Sequence, residues 1–247
     1  MIEGMNTTPF SRPVAAGLLI GALALGYILA PAASAAPVGR QTAKAAETKQ
    51  ARIGKNVFLE IQGDRRRVLV EAYVCLRKGQ LEQLVTRKRT KEHEAILAVD
   101  TDARNIHLAL VAAGAEPGSP VKFRPKFEAP KGDEITVTLE YKEKGKTVRV
   151  PAQQWIRNIK SKKDLETNWV FAGSVLIPDP LDPKKPRYYG ANDGDVICIS
   201  NFDTAMLDVP FNSPKDNDDL AFEAHTDRIP PLETPVLVIL ELVPKKK

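Results

Sequence analysis

The residues from Val68 to Leu76 constrain this chain more than any others. Val68, Val70, Ala72, Val74 and Leu76 alternate with Leu69, Glu71, Tyr73 and Cys75. A period of two puts the first set on one face of a strand and the second on the other, giving one core face and one mixed face. The stretch around it, Arg67 to Gly118, carries the best strand patterns and one well-bounded helix. It also holds two of the three histidines and one of the two cysteines.

Further strands follow from the same reasoning. Val57 to Ile61 is a short strand closed by the turn Gln62-Gly63-Asp64. Arg77 to Gln80 reads as a hairpin loop, with Leu81 to Thr86 returning along the first strand. Glu94 to Val99 is a mostly apolar strand. Asp100-Thr101 then caps a helix near residues 101–114, with Asp102 in its first turn. Ala103, Ile106, His107, Leu110 and Gly114 share one face of that helix, and Pro117-Gly118 prevents its resumption. Ile135 to Tyr141 and Thr147 to Val150 form a hairpin. Trp169 to Ile177 reads as one strand with a glycine bulge, Asp195 to Ser200 as another, and Val236 to Leu242 as a buried final strand. Pro178 to Pro186 holds four prolines and is an excursion loop. Strands outnumber helices and no βαβ rhythm is present. The expected class is a strand-rich α+β fold with mostly antiparallel sheet and one main helix.

The N-terminus speaks to compartment. Arg12 precedes an uncharged run from Pro13 to Ala36, and Ala33-Ser34-Ala35 supplies the small-x-small pattern of signal peptidase sites. Residues 1–35 are therefore expected to be a cleaved export signal, giving a periplasmic or secreted protein. An uncleaved membrane anchor is the alternative, because the apolar heart of about 17 residues approaches spanning length. Residues 36–54 read as a linker, 55–244 as one domain, and 245–247 as a basic tail. The net charge of +5 points to anionic envelope material as a partner. Nucleic acid is not expected, and the membrane enters only with an uncleaved N-terminal segment.

Several islands resemble the YdjY-domain family of bacterial, planctomycete-type exported proteins. They are VEAYVCLRKGQLEQLV with KEHEAILAVD, IHLALVAAGAEPG, WVFAGS, DVICISNFDTAMLDVP and IPPLETPVLVIL. The resemblance implies one domain over nearly all of the exported chain, and no established activity. Some relatives are described as ferredoxin-like. Cys75 and Cys198 cannot supply the four thiolates of an ordinary iron–sulfur cluster, so that description does not transfer. No cofactor is expected. In an oxidising compartment the two cysteines form either a disulfide or two buried free thiols, and spacing alone does not choose.

The candidate site residues are His93, Glu94, Cys75 and His107. His93 sits in Lys91-Glu92-His93-Glu94, and His107 lies 14 positions later on the helix. With Glu92 or Glu94 they would make a His/His/carboxylate set able to hold a transition metal, at a spacing that matches no recognised motif. A histidine on an apolar helix face is more often a core residue meeting a backbone carbonyl. Ser174 lacks the second glycine of a nucleophile elbow. Asn192-Asp193-Gly194-Asp195 with Asp203 has calcium-ligand types, but a tight turn explains it more simply. Nine cationic residues between Arg65 and Lys91 either form an anion-binding patch or guard strand edges. The first reading is a non-enzymatic envelope binding or assembly module. The second is a metal- or thiol-dependent enzyme or redox protein centred on His93, His107 and Cys75.

Overall fold

A computed structural model describes residues 47–213 and 222–245. The apolar run, the Ala33-Ser34-Ala35 motif and residues 36–46 lie outside them, as do residues 214–221 and the last two of the basic tail. The chain enters as an antiparallel meander of β1 (Thr48–Gly54), β2 (Val57–Gln62) and β3 (Arg65–Val74). β1 takes in residues that the sequence alone leaves in a linker. β3 buries Val68, Val70, Ala72 and Val74, the alternating set.

The next connection departs from the expected hairpin. β4 (Gln80–Leu81) and β5 (Gln83–Arg87) do not return along β3. Instead β6 (Ala95–Val99) lies between β3 and β5, antiparallel to the first and parallel to the second. All five β6 residues are buried. A run apolar on both faces needs cover on both, and a place between two strands also satisfies both of its edges. β6 leads through Asp102, the N-cap, into α1 (Ala103–Ala112). The Asp102 side chain accepts from the Arg104 backbone N–H at 2.9 Å, so the cap falls one residue beyond the Asp100-Thr101 pair expected to supply it.

After α1 come β7 (Pro117–Ser119) and β8 (Lys131–Gly132), a small antiparallel pair. The hairpin of β9 (Glu134–Glu143) and β10 (Lys146–Pro151) follows, then β11 (Ile156–Asn158) and β12 (Trp169–Phe171). β13 (Leu176–Ile177) pairs with β14 (Tyr188–Tyr189). β15 (Ile197–Cys198), β16 (Leu207–Asp208), β17 (Phe222–Ala224) and β18 (Pro235–Leu242) complete the set. The segment read as one strand, Trp169 to Ile177, is thus two strands in different sheets. Gly173 (φ 87°) and Ser174 (φ 61°) break it with two successive left-handed residues.

Eight strands close on themselves in the order β3–β18–β9–β12–β16–β15–β5–β6 and back to β3. This closure corrects the expected α+β class. Among the described residues strand makes up 44% against 11% helix, so the fold is a mainly β barrel with a single α-helix in that part of the chain. The pairing is mostly antiparallel, as expected, and β5–β6 and β15–β16 are the parallel exceptions among the described residues. The helix forms no layer of its own. It packs on β1, β2 and β3, and its buried Ala103, Ile106, Ala109 and Leu110 join one continuous core with Val68, Leu139, Val238, Trp169 and Phe171. An eight-stranded barrel is just wide enough for side chains to fill it. Each fully buried Leu or Ile there contributes about 1.5–3 kcal/mol. This core lies wholly within the compact unit Ala45–Lys247.

Candidate functional site

The break at Gly173-Ser174 builds a cleft. Gly173 backs onto Pro117 of β7 so closely that an added Cβ would come within 2.8 Å of the proline Cβ, and its φ of 87° already favours glycine. The chain is pinned on its other side, where Gly173 and Ser174 donate backbone N–H bonds to the Met206 and Ala205 carbonyls, both at 3.0 Å. The Ser174 hydroxyl donates to the Thr204 carbonyl at 2.6 Å and accepts from the Ala191 N–H at 2.9 Å. That serine is a clamp between three segments, which occupies the oxygen a nucleophile would need.

His107 of α1 and Tyr189 of β14 meet beside this clamp. The Tyr189 hydroxyl donates to the Gly173 carbonyl at 3.0 Å and lies 2.8 Å from His107 Nδ1. A phenol has one proton, so a hydroxyl spent on Gly173 can only accept from Nδ1–H. The imidazole is thereby held in the Nδ1–H tautomer, with Nε2 left as an acceptor. Its ring stands edge-on to Phe171, with centroids 4.9 Å apart. Burial holds the His107 pKa below its usual value, opposed by the Gly173 carbonyl, so the ring is neutral at neutral pH. Burial likewise pushes the Tyr189 phenol well up.

Around these groups lies a cleft of about 620 Å³, a size that suits a small ligand. Leu108, Val175 and Leu176 form apolar walls, and Arg104 and Arg187 stand on its margin. Leu108 and Leu176 are 57% and 55% exposed, an unusual state for leucines lining one hollow. A larger hollow of about 720 Å³ runs beside Arg65 and Glu241, but those two groups already bind each other at 2.6 Å.

The sequence-derived candidates do not assemble. His93 is 77% exposed, with Nε2 3.8 Å from Glu94 Oε2. Glu92 instead accepts from the Arg89 N–H at 2.6 Å. Cys75 donates its thiol to the Ala95 carbonyl at 3.1 Å, and burial pushes its pKa up to about 12. Cys198 is fully buried and also shifted well upward. Both are free thiols rather than a bridge. Among the described residues, no three His, Cys, Asp or Glu side chains group so as to hold a metal ion. The set of His93, His107 and Glu94 is therefore not brought together.

The Asn-Asp-Gly-Asp segment also disperses. Asn192 caps α1, accepting from the Ala103 N–H at 2.8 Å. Asp193 accepts from the Tyr188 hydroxyl at 2.6 Å. Asp195 is buried and accepts from Lys91 at 2.9 Å and Thr204 at 2.5 Å. Asp203 stands exposed. The cationic stretch is partly neutralised within the fold: Arg65 pairs with Glu241, Arg67 with Glu60, and Arg77 donates to the Ile229 carbonyl at 3.0 Å.

Sequence reasoning misses Tyr189, Arg187 and Asp208. A signal exists for Asp208. DVICISNFDTAMLDVP sets Asp195, Asn201 and Asp208 among apolar residues, and polar groups in such a run need internal partners.

The sequence profile of the YdjY domain matches residues 59–241. No curated protein and no solved structure matches the chain.

Proposed function

The chain belongs to the YdjY domain family, and from that premise we propose that it is an exported, non-enzymatic binding module whose ligand occupies the cleft beside His107. The observation that carries this reading is how the cleft spends its polar groups. Tyr189, Ser174 and the Nδ1–H of His107 are spent on one another or the backbone, while Leu108, Val175 and Leu176 face the hollow. Catalytic groups would converge on open space with protons to exchange. Here the polar groups fix the shape of an apolar surface, which is what a preorganised binding site requires. Export rests on the apolar N-terminal run and Ala33-Ser34-Ala35. The envelope is the matching compartment, and the reading needs no cofactor.

An uncharged fluorescent probe, N-phenylnaphthylamine, tests the cleft. The unit Ala45–Lys247 should bind it at one site. Leu108→Glu and Leu176→Glu should abolish that binding, because a carboxylate cannot be desolvated beside the probe. Both leucines are mostly exposed, so neither change endangers the fold. Binding that both variants retain overturns the reading.

A further inference from the structure

The cleft beside His107 adjoins a second hollow of about 430 Å³, and the two share Arg104 and Arg187. The two arginines differ. Arg104 is committed to Asp102, with Nη2 2.7 Å from Oδ2 and Nε 3.1 Å from Oδ1. Arg187 makes no hydrogen bond or ion pair among the described residues. An unpaired guanidinium therefore stands where the two hollows meet.

The hollows have distinct linings. The inner one, against Leu108, Val175 and Leu176, has no carboxylate in its wall. The outer one runs over Ile177, Pro178 and Pro186. Its carboxylate, Asp179, is occupied by Lys185 at 3.1 Å and by the Leu181 backbone N–H at 2.8 Å.

Granted that the cleft binds a ligand, we propose that the ligand is a long-chain monocarboxylate. Its chain lies along Leu108, Val175 and Leu176, and its carboxylate is clamped by Arg187. A chain there removes two mostly exposed leucines from water. A planar guanidinium matches a carboxylate through two parallel N–H···O bonds. One free guanidinium balances one negative charge. Asp102 and Asp179 already stand beside the two arginines, so a doubly charged phosphate head would carry uncompensated charge.

Displacement of N-phenylnaphthylamine from the unit Ala45–Lys247 reads this out, with dodecanoate, dodecyl phosphate and dodecanol as competitors. Dodecanoate should compete about tenfold better than dodecanol, the scale of one charge-assisted pair. It should also compete better than dodecyl phosphate. Arg187→Gln should bring dodecanoate down to the level of dodecanol. Lys184→Gln removes a charge of the same loop outside the cleft and should keep the preference. The inference is overturned if dodecanoate and dodecanol compete equally, if the phosphate is tighter, if Arg187→Gln keeps the preference, or if Lys184→Gln erases it. Where the probe binds and dodecanoate fails to displace it, the cleft stands and the monocarboxylate falls. Where the probe itself finds no site lost in Leu108→Glu, the cleft reading falls first.

Discussion

Asn192 donates from Nδ2 to Asp102 Oδ1 at 3.1 Å, so the start of α1 is held by a residue 90 positions further along the chain. Asn192 Oδ1 meanwhile accepts from the Ala103 N–H. Two side chains thus share the orphan donors of one helix end, one local and one brought from the turn after β14. The cleft depends on this tie, because α1 carries His107 and Leu108 while that turn follows Tyr189.

Asn192→Ala should cost about 1–2 kcal/mol of stability, the range of a lost cap with a buried partner left behind. Asp102→Ala should cost about 1 kcal/mol. Urea melts of both single variants and the double variant check the sharing. The double should cost less than the two singles together, since each serves the same helix end. Strict additivity would mean that the two caps act independently.

The two histidines of the KEHEAILAVD and IHLALVAAGAEPG islands should behave differently. His107→Ala removes a ring packed on Phe171 and leaves the Tyr189 hydroxyl short of a partner, at about 1–3 kcal/mol. His93 is exposed, and His93→Ala should lie within about 0.5 kcal/mol of the wild type. The melts are run with and without a chelator. Equal costs that a chelator abolishes would show that the two residues share a metal.

Residue chemistry explains which parts of this structure are legible in the sequence. Val68, Val70, Ala72 and Val74 mark β3 because a period of two is local information. The hairpin of β9 and β10 is legible for the same reason. Closure is not. It depends on β6 lying between β3 and β5, and AILAV shows only that both faces are apolar, not which strands flank it. The break at Gly173-Ser174 is half legible, since the glycine flags an irregularity while the serine's left-handed backbone does not show. His107 stands out on the apolar face of its helix. Its partner Tyr189 lies 82 positions away beyond the proline loop, in no pattern that points back to α1.

The thiols should be inert in the folded protein. The Cys75 pKa is pushed up to about 12 by burial first, with the Glu92 charge adding to it. Cys198 is shifted upward by burial as well, with no exposed surface. The thiolate is the reactive form, so neither cysteine should react with iodoacetamide at neutral pH until the chain is unfolded. Mass spectrometry should show no added label in buffer and two labels in urea. Stoichiometric labelling of the native protein at either position would contradict the geometry.

Asp208 makes stability depend on pH in an unusual direction. It lies fully buried on β16, where Oδ1 accepts from Asn201 Nδ2 at 3.1 Å and from its neighbour's backbone, the Val209 N–H, at 2.8 Å. Burial outweighs those bonds and pushes its pKa from 3.8 to about 7. Between those values the native state keeps a proton that the unfolded chain has released. Its contribution is therefore full below 3.8 and is lost as pH rises through about 7. Asp208→Asn keeps the carbonyl acceptor and cannot ionise. The stability of the variant relative to the wild type should thus rise with pH across that window, by on the order of a few kcal/mol. Taking the difference cancels groups with the opposite slope, such as His107, whose contribution is lost as pH falls below 6.5. Urea melts of both proteins at intervals between pH 3.8 and 7 provide the comparison. A difference that does not change with pH would mean that Asp208 ionises in the barrel wall at its ordinary value.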